Sequence, residues 1–186
     1  MRYKRLAVVC SSLILLPLFS GCIFSPKKGG GGVPPPDYAL PITPGLVLGN
    51  LALAYSHKDS TEYKSLFDDN YQGTSLDQQD PSAQLLTYTK ADEAMHIAGL
   101  ARSTTVTEVR LELLAAMIRI TDAGDPPGWA LIQDPIVTLS ISDSPTSYEV
   151  TPTDETTEFH FRPTLDSSSP TDTTWTIVKW VEVRRR

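Results

Sequence analysis

Residues 50–71 read NLALAYSHKDSTEYKSLFDDNY, and two helix signals follow each other in this stretch. The first helix is predicted to begin just upstream, where Thr43 supplies a hydroxyl cap and Pro44 occupies the first turn. Apolar residues then recur at helical spacing up to the turn at HKD. These apolar positions are Val47, Leu48, Leu51, Ala54 and Tyr55.

Two further helices are predicted after the first. Asp59 and Ser60 offer a cap for a short second helix, which the acidic stretch DDNYQG, residues 68–73, is expected to end. Thr89 and Asp92 approximate a capping box at the start of a third helix. The expected apolar faces are Tyr63, Leu66 and Phe67 in the second helix, and Ala91, Ala94, Met95, Ala98 and Ala101 in the third.

After Ser103 the apolar spacing changes from helical to alternating. In TEVRLEL, residues 107–113, apolar and charged residues alternate, as in a strand with one face in water. MIRIT (117–121) is predicted to continue this strand past a bulge. GWALIQD (128–134) and the segment 137–141 predict one or two more strands, and TEFHFRP (157–163) and TWTIVKWVEV (174–183) predict the last ones. Helices followed by antiparallel strands predict an α+β fold with three N-terminal helices packed on the sheet.

The stretch 50–71 resembles the opening of the nuclear transport factor 2-like (NTF2-like) superfamily. Bacterial members often read as a helix, Ala-Tyr, a turn, and Tyr-x-x-Leu-Phe before an acidic bend. FHFRP (159–163) followed by TWTIVKW (174–180) resembles the terminal strands of that superfamily. The resemblance covers most of residues 44–186 and implies a cone, in which a strongly curved antiparallel sheet wraps around the first long helix. It also implies that pairing of two copies through the exposed sheet face is common.

Residues 1–21 have the organisation of a secretion signal. A basic start (Arg2, Lys4 and Arg5) precedes an apolar run from Leu6 to Phe19, which is shorter than the ~20 residues of a membrane-spanning helix. Ser20 and Gly21 are the small residues that a signal peptidase requires.

Cys22 changes the interpretation of this signal. LFSGC, residues 18–22, resembles the bacterial lipobox, with Phe19 where Leu is usual. The resemblance implies cleavage between Gly21 and Cys22 and a diacylglycerol on the Cys22 thiol. Two or three acyl chains give a stable anchor, at roughly 0.8 kcal/mol for each buried methylene. The alternatives are an ordinary signal peptide with an incidental cysteine, or an uncleaved anchor.

The residue after the cysteine bears on location. An Asp there commonly retains a Gram-negative lipoprotein in the inner membrane, so Ile23 favours the outer membrane if the organism has one. The expected location is the cell envelope. Residues 22–43 include GGGG and PPP, which cannot bury apolar surface, and are predicted to be the lipidated tether of a domain at 44–186.

Charge and cysteine usage limit the partners. Removal of residues 1–21 lowers the 16 Lys and Arg residues by three to 13, against 22 Asp and Glu, so the formal charge changes from −6 to −9. A strongly acidic chain does not attract phosphate backbones, and nucleic acid is not expected as a partner. Cys10 leaves with the signal, so no disulfide and no thiolate metal site is expected.

Some members of the resembling superfamily are isomerases, dehydratases or cyclases that use an Asp or His with a Tyr inside the cone. The polar residues on or beside apolar segments here are Tyr55, Tyr88, His96 and His160. No aspartate matches the known catalytic patterns. His96 falls on the polar flank of the third helix and His160 on the face opposite Phe159 and Phe161, so both are expected to be solvated or structural. No catalytic residue is assigned.

The stretch DDNYQGTSLDQQ, residues 68–79, partly matches a calcium-binding EF-hand loop. Asp68, Asn70, Gly73 and Thr74 fall at loop positions one, three, six and seven. Gln72 stands at position five, and Gln79 stands at position twelve, where a bidentate Glu is needed. A helix-ending acidic turn is the favoured interpretation, and no metal and no cofactor is predicted.

The three tryptophans, Trp129, Trp175 and Trp180, could form a platform for carbohydrate. Trp175 and Trp180 are five residues apart, so in a regular strand they lie on opposite faces. Packing in the core is the favoured role.

Three functions follow as hypotheses for a lipoprotein of this kind. The first is a non-catalytic binding or interaction domain at the membrane, with membrane lipid, a second copy or an envelope protein as partner. The second is a small-molecule enzyme that uses the cone interior, and the third is a dimeric structural lipoprotein. An open cone with converging polar groups favours the first two, and a filled cone favours the third.

Overall fold

A computed structural model describes residues 36–151, 155–166 and 169–184, which contain three helices and eight strands. The helices are α1 (Pro44–His57), α2 (Ser60–Ser65) and α3 (Lys90–Arg102). The strands are β1 (Phe67–Asp77), β2 (Leu86–Thr89), β3 (Val106–Leu113), β4 (Ala130–Gln133), β5 (Ile136–Asp143), β6 (Thr146–Val150), β7 (Glu155–Asp166) and β8 (Ser169–Arg184). The predicted signal, with Gly21 and Cys22, lies outside the described residues. Among the described helices, none has the length and apolar character needed to cross a membrane.

The helix starts predicted from capping residues are confirmed. The Thr43 hydroxyl accepts a hydrogen bond from the Leu46 amide at 3.2 Å, with Pro44 in the first turn of α1. Thr89 and Asp92 form the full capping box of α3, in which each side chain accepts a hydrogen bond from the other residue's backbone amide. Four apolar residues of α1 are completely buried: Val47, Leu48, Leu51 and Ala54.

Two details of the helix prediction are wrong. Helix α2 ends at Ser65, and residues 68–73 lie within β1 instead of forming a turn. In α3 the buried face centres on Ile97, while Met95 of the predicted alanine stripe is 61% exposed. Alanine side chains are too small to indicate which face of a helix is buried, so Ile97 was the better marker.

The strands form two sheets. One contains five strands in the order β2-β1-β8-β7-β4, and the other contains three in the order β3-β5-β6. The α+β class with a curved sheet and three N-terminal helices is confirmed. Within it, β1 runs parallel to β8, which makes the five-stranded sheet mixed instead of antiparallel. MIRIT does not continue β3, since only Ile120 bridges to Leu131.

A bulge in β8 overturns the predicted placement of the tryptophans. Lys179 pairs with His160 and Ile177 pairs with Phe161, so Val178 is an extra residue on β8. Trp180 therefore lies opposite Phe159 and Trp175 opposite Pro163. Those two partners are four residues apart on β7, which puts both tryptophans on the same face. Both belong to the core, each 7% exposed.

Aromatic rings fill the core between α1, α2 and the five-stranded sheet. The centroid distances are 5.9 Å for Tyr55–Tyr63, 5.0 Å for Tyr63–Phe67 and 4.5 Å for Phe67–Tyr71. These contacting rings extend from α1 to β1, and the hydroxyl groups of their tyrosines point towards an open space beneath α3.

Candidate functional site

A cavity of ≈ 750 Å³ lies between the helices and the two sheets. Its lining comes from all three helices and from β1, β2, β3, β5 and β8. The aromatic part of the lining consists of Tyr55, Tyr63, Tyr71, Tyr88 and Trp180. Leu111, Leu139 and Ile141 supply an aliphatic wall. The cone is thus open, with a volume in the range of small-molecule sites.

Glu93 on α3 is held by two tyrosine hydroxyls. Tyr71 donates to one carboxylate oxygen at 2.8 Å, and Tyr63 donates to the other at 3.2 Å. Burial raises the pKa of Glu93, and the two tyrosine hydrogen bonds oppose this effect. A Cβ at Gly73 would lie 2.5 Å from the Tyr71 hydroxyl oxygen, so the close approach of that hydroxyl to the strand requires glycine.

Glu182 is the second acidic group of the cavity. It lies two residues after Trp180 on β8 and therefore on the same inner face. Burial raises the pKa of Glu182 to about 8, with further contributions from Glu155 and Glu93, while a hydrogen bond with the Ser75 side chain acts in the opposite direction. Glu182 is therefore mostly protonated at neutral pH. It also lines a smaller neighbouring cavity of ≈ 160 Å³.

His96 and Tyr55 form a pair at the cavity wall. The Tyr55 hydroxyl and the His96 Nε2 atom are 3.0 Å apart. Burial lowers the pKa of His96 and raises the pKa of Tyr55, with Glu182 and Glu93 adding to the effect on the tyrosine. At neutral pH the pair is therefore an uncharged hydrogen-bonding unit.

The lining combines apolar surface with groups that can donate or accept a proton. Protonated Glu182 can donate a hydrogen bond and can accept one after ionisation. The indole N–H of Trp180 has no hydrogen-bond partner within the described part of the chain. The described residues that line the cavity include no Lys and no Arg.

No protein-family model matches the chain, and neither does any curated protein. Solved structures similar to it include an NTF2-like protein of unknown function in nutrient uptake from Rhodospirillum rubrum, with 13% identity, 76% of this chain and 98% of that chain covered, and a TM-score of 0.49. A ketosteroid isomerase-like protein from Erwinia carotovora atroseptica has 10% identity, 76% and 93% coverage, and a TM-score of 0.45. An NTF2-like protein of unknown function from Shewanella baltica has 14% identity, 75% and 89% coverage, and a TM-score of 0.43. At such identities, these similarities say nothing of a ligand or a reaction.

Three of the four residues singled out in the sequence line the cavity: Tyr55, Tyr88 and His96. His160 does not. It lies on the face opposite Phe159, as predicted, and it is 1% exposed, so of the two expected roles, solvated or structural, it has the structural one. Its Nδ1 atom lies 2.6 Å from a carboxylate oxygen of Asp125, in the loop before β4, which explains how a histidine is accommodated there.

Asp122, Asp125 and His160 each offer one ligand atom, and these atoms lie within 4.8 Å of one another. This is the arrangement among the described residues that could hold a metal ion. Asp125 and His160 are the two more buried residues of this group, and the direct bond between them explains their proximity without a metal ion. The residues that partly match an EF-hand do not form a loop, because residues 67–77 are a strand and the Asp68 carboxylate pairs with Arg162.

Four residues of the site were not predicted from the sequence: Glu93, Glu182 and the two tyrosines bound to Glu93, Tyr63 and Tyr71. For each glutamate, the spacing to a neighbouring residue in the sequence indicated which face it occupies. Glu93 and His96 are three residues apart and so share one face of α3. Trp180 and Glu182 are two residues apart in a strand and so share one face of the sheet.

Proposed function

We propose that this chain is a lipid-anchored binding protein of the bacterial cell envelope, with an NTF2-like domain that takes a small, partly apolar molecule into its cavity. The observation that carries the binding function is the open cavity of ≈ 750 Å³. A structural domain gains stability by filling such a space with side chains, because buried apolar contacts replace empty volume. An open cavity with Glu93, Glu182 and His96 at its wall fits a ligand site better.

A neutral dye tests the cavity directly. Nile red fluoresces on entering an apolar site, and wild-type protein is expected to bind it. Thr87→Trp places a large ring on the cavity wall and is expected to abolish binding, whereas Thr107→Trp, on an exposed position of β3, is the matched control. If the dye binds equally to all three proteins, it does not enter this cavity, and the proposed site is wrong.

The anchor is supported by the basic start, the apolar run and the sequence Ser20-Gly21-Cys22. Cells expressing Cys22→Ala are expected to lose the protein from the membrane fraction or to accumulate a longer precursor. Labelled palmitate should enter the wild type and not this variant. Cys10→Ala, within the signal itself, is the control and should behave as wild type. Normal fractionation and labelling of Cys22→Ala would rule out acylation at that residue.

An acid–base enzyme is the second candidate, and the observation that favours it is Glu182. A carboxyl group with a pKa of about 8 in an apolar cavity is suited to proton transfer near neutral pH. A nitrobenzisoxazole, whose ring opens when a carbon-bound proton is removed, serves as a general probe. The wild type should accelerate the opening increasingly as pH rises through 8, and Glu182→Gln should not. Equal rates for both proteins would contradict the enzyme function, and binding would remain as the proposed function.

A further inference from the structure

We infer that the molecule taken by the cavity is a small organic cation, such as an amine or a quaternary ammonium compound, held between the aromatic faces, Glu93 and Glu182. This inference rests on the proposed binding function and names the class of its ligand. Three features of the cavity lead to it: the acidic side chains in its lining, its aromatic rings and the free-energy cost of ionising its buried carboxyl groups.

The charge around the cavity has one sign. Glu93 and Glu182 lie in the lining together with Asp92, and no Lys or Arg does so among the described residues. The basic side chains of nearby elements are engaged or exposed elsewhere. Lys58 donates to the Val106 carbonyl at 2.9 Å, Lys90 pairs with Asp69 at 2.9 Å, and Lys179 is exposed on β8. An anionic ligand would meet these carboxyl groups and no Lys or Arg, whereas a cation would favour the ionised form of the carboxyl groups.

The aromatic lining suits a cation for a separate reason. Four tyrosines and Trp180 contribute to one cavity. The face of each ring attracts a positive charge, with about 0.5–1 kcal/mol at exposed sites and about 2 kcal/mol where water is excluded. A ring-lined pocket without acids would suit any apolar molecule, and the two carboxyl groups make the preference specific.

A neutral ligand would leave Glu182 in its protonated form. Burial, Glu155 on β7 and Glu93 on α3 all disfavour ionisation of Glu182, and the only opposing contribution among the described groups is the hydrogen bond with Ser75 on β1. The hydroxyls of Tyr55, Tyr71 and Tyr88 surround the same region and stay protonated, since burial raises the pKa of each. A cation within reach of Glu182 would favour its ionised form, so binding at pH 7 should release a proton.

Two isosteric probes separate charge from shape. Choline carries a trimethylammonium group, and 3,3-dimethylbutan-1-ol replaces its nitrogen by carbon without the charge. With the full chain in detergent, calorimetry at pH 7 should find choline bound at least tenfold more tightly than the alcohol. Repeating the choline titration in phosphate and in Tris should give different heats, because the released proton is taken up by the buffer.

Variants assign the effect to the cavity. Glu182→Gln should weaken choline binding at least tenfold, remove the buffer dependence and leave the weak binding of the alcohol within twofold. Glu149→Gln, on an exposed position of β6, is the matched control and should change neither. If the alcohol binds as well as choline, or if Nile red enters the cavity and choline does not bind, the cation inference is wrong and the binding function stands. If none of the three enters, both are wrong.

Discussion

Glu182 ionises with difficulty because its carboxyl group is buried, with Glu155 and Glu93 nearby. Its pKa in the folded protein lies above the ordinary value of 4.5, at about 8. Between these two values the folded chain keeps a proton that the unfolded chain has lost. Unfolding then releases a proton, so a rise in pH favours the unfolded state. The stabilising effect is complete below the ordinary value and is lost as pH rises towards 8.

Glu182→Gln should remove this dependence. In the wild type, the free energy of unfolding should fall by as much as about 1.4 kcal/mol for each pH unit between 4.5 and 8. The glutamine variant keeps the shape of the protonated acid but cannot ionise, so it should be more stable than the wild type by several kcal/mol at pH 9. Urea unfolding between pH 5 and pH 9 measures the difference. Glu149→Gln is the control, and parallel curves for Glu182→Gln and wild type would contradict the raised pKa.

The residues of the cavity were only partly predictable from the sequence. Tyr55 and His96 were found because each stands beside an apolar segment, but no role was predicted for Glu93 or Glu182. Glu93 belongs to a helix whose polar face is expected to be charged. What makes it a site residue is the approach of Tyr63 and Tyr71 from two other elements, which no local pattern records.

At the scale of whole elements, local signals and long-range pairing were predictable to different extents. Caps are local, and the starts of α1 and α3 lie where Thr43 and Thr89 indicated. The β8 bulge depends on the register with β7, so spacing along β8 alone put Trp175 and Trp180 on the wrong faces. Residues 68–73 have low strand propensity and were read as a turn, yet pairing with β2 and β8 holds them in β1.

The cap of α3 provides a test at this scale. Thr89→Ala removes the hydroxyl that accepts from the Asp92 amide, and should lower the free energy of unfolding by about 1 kcal/mol. For a domain of this size that is a fall in melting temperature of about 2–4 °C. Thr87→Ala, two residues earlier on β2, is the control and should change the melting temperature less. Equal shifts would mean that the capping box does not stabilise α3, and that Glu93 is positioned by its tyrosines alone.

At the scale of the whole molecule, the residues before α1 connect the proposed anchor to the core. The Tyr38 hydroxyl donates to Asp59 at 3.1 Å, and the Trp175 amide donates to the Pro41 carbonyl at 2.8 Å. Burial and the bond to Asp59 raise the pKa of Tyr38 to about 12. Between these contacts, the Asn50 side chain accepts from the Ala39 amide at 3.0 Å and donates to the Ala39 carbonyl at 2.6 Å. The chain is thus held against α1 and β8 before it reaches Pro44.

Asn50 should decide where the protease-resistant domain begins. Asn50 is 4% exposed, and its amide forms both hydrogen bonds with Ala39, so Asn50→Ala should release residues 38–43 and cost about 1–3 kcal/mol. Limited proteolysis followed by mass spectrometry should find cleavage before Tyr38 in the wild type and as far as Thr43 in the variant. Ser56→Ala, further along α1, is the control and should be cut as wild type. If wild type and Asn50→Ala are cut at the same bonds, the segment is not held by Asn50. Force applied to the proposed anchor would then be transmitted to the domain through Thr43 and the first turn of α1, and not through Asn50 on the buried face of α1.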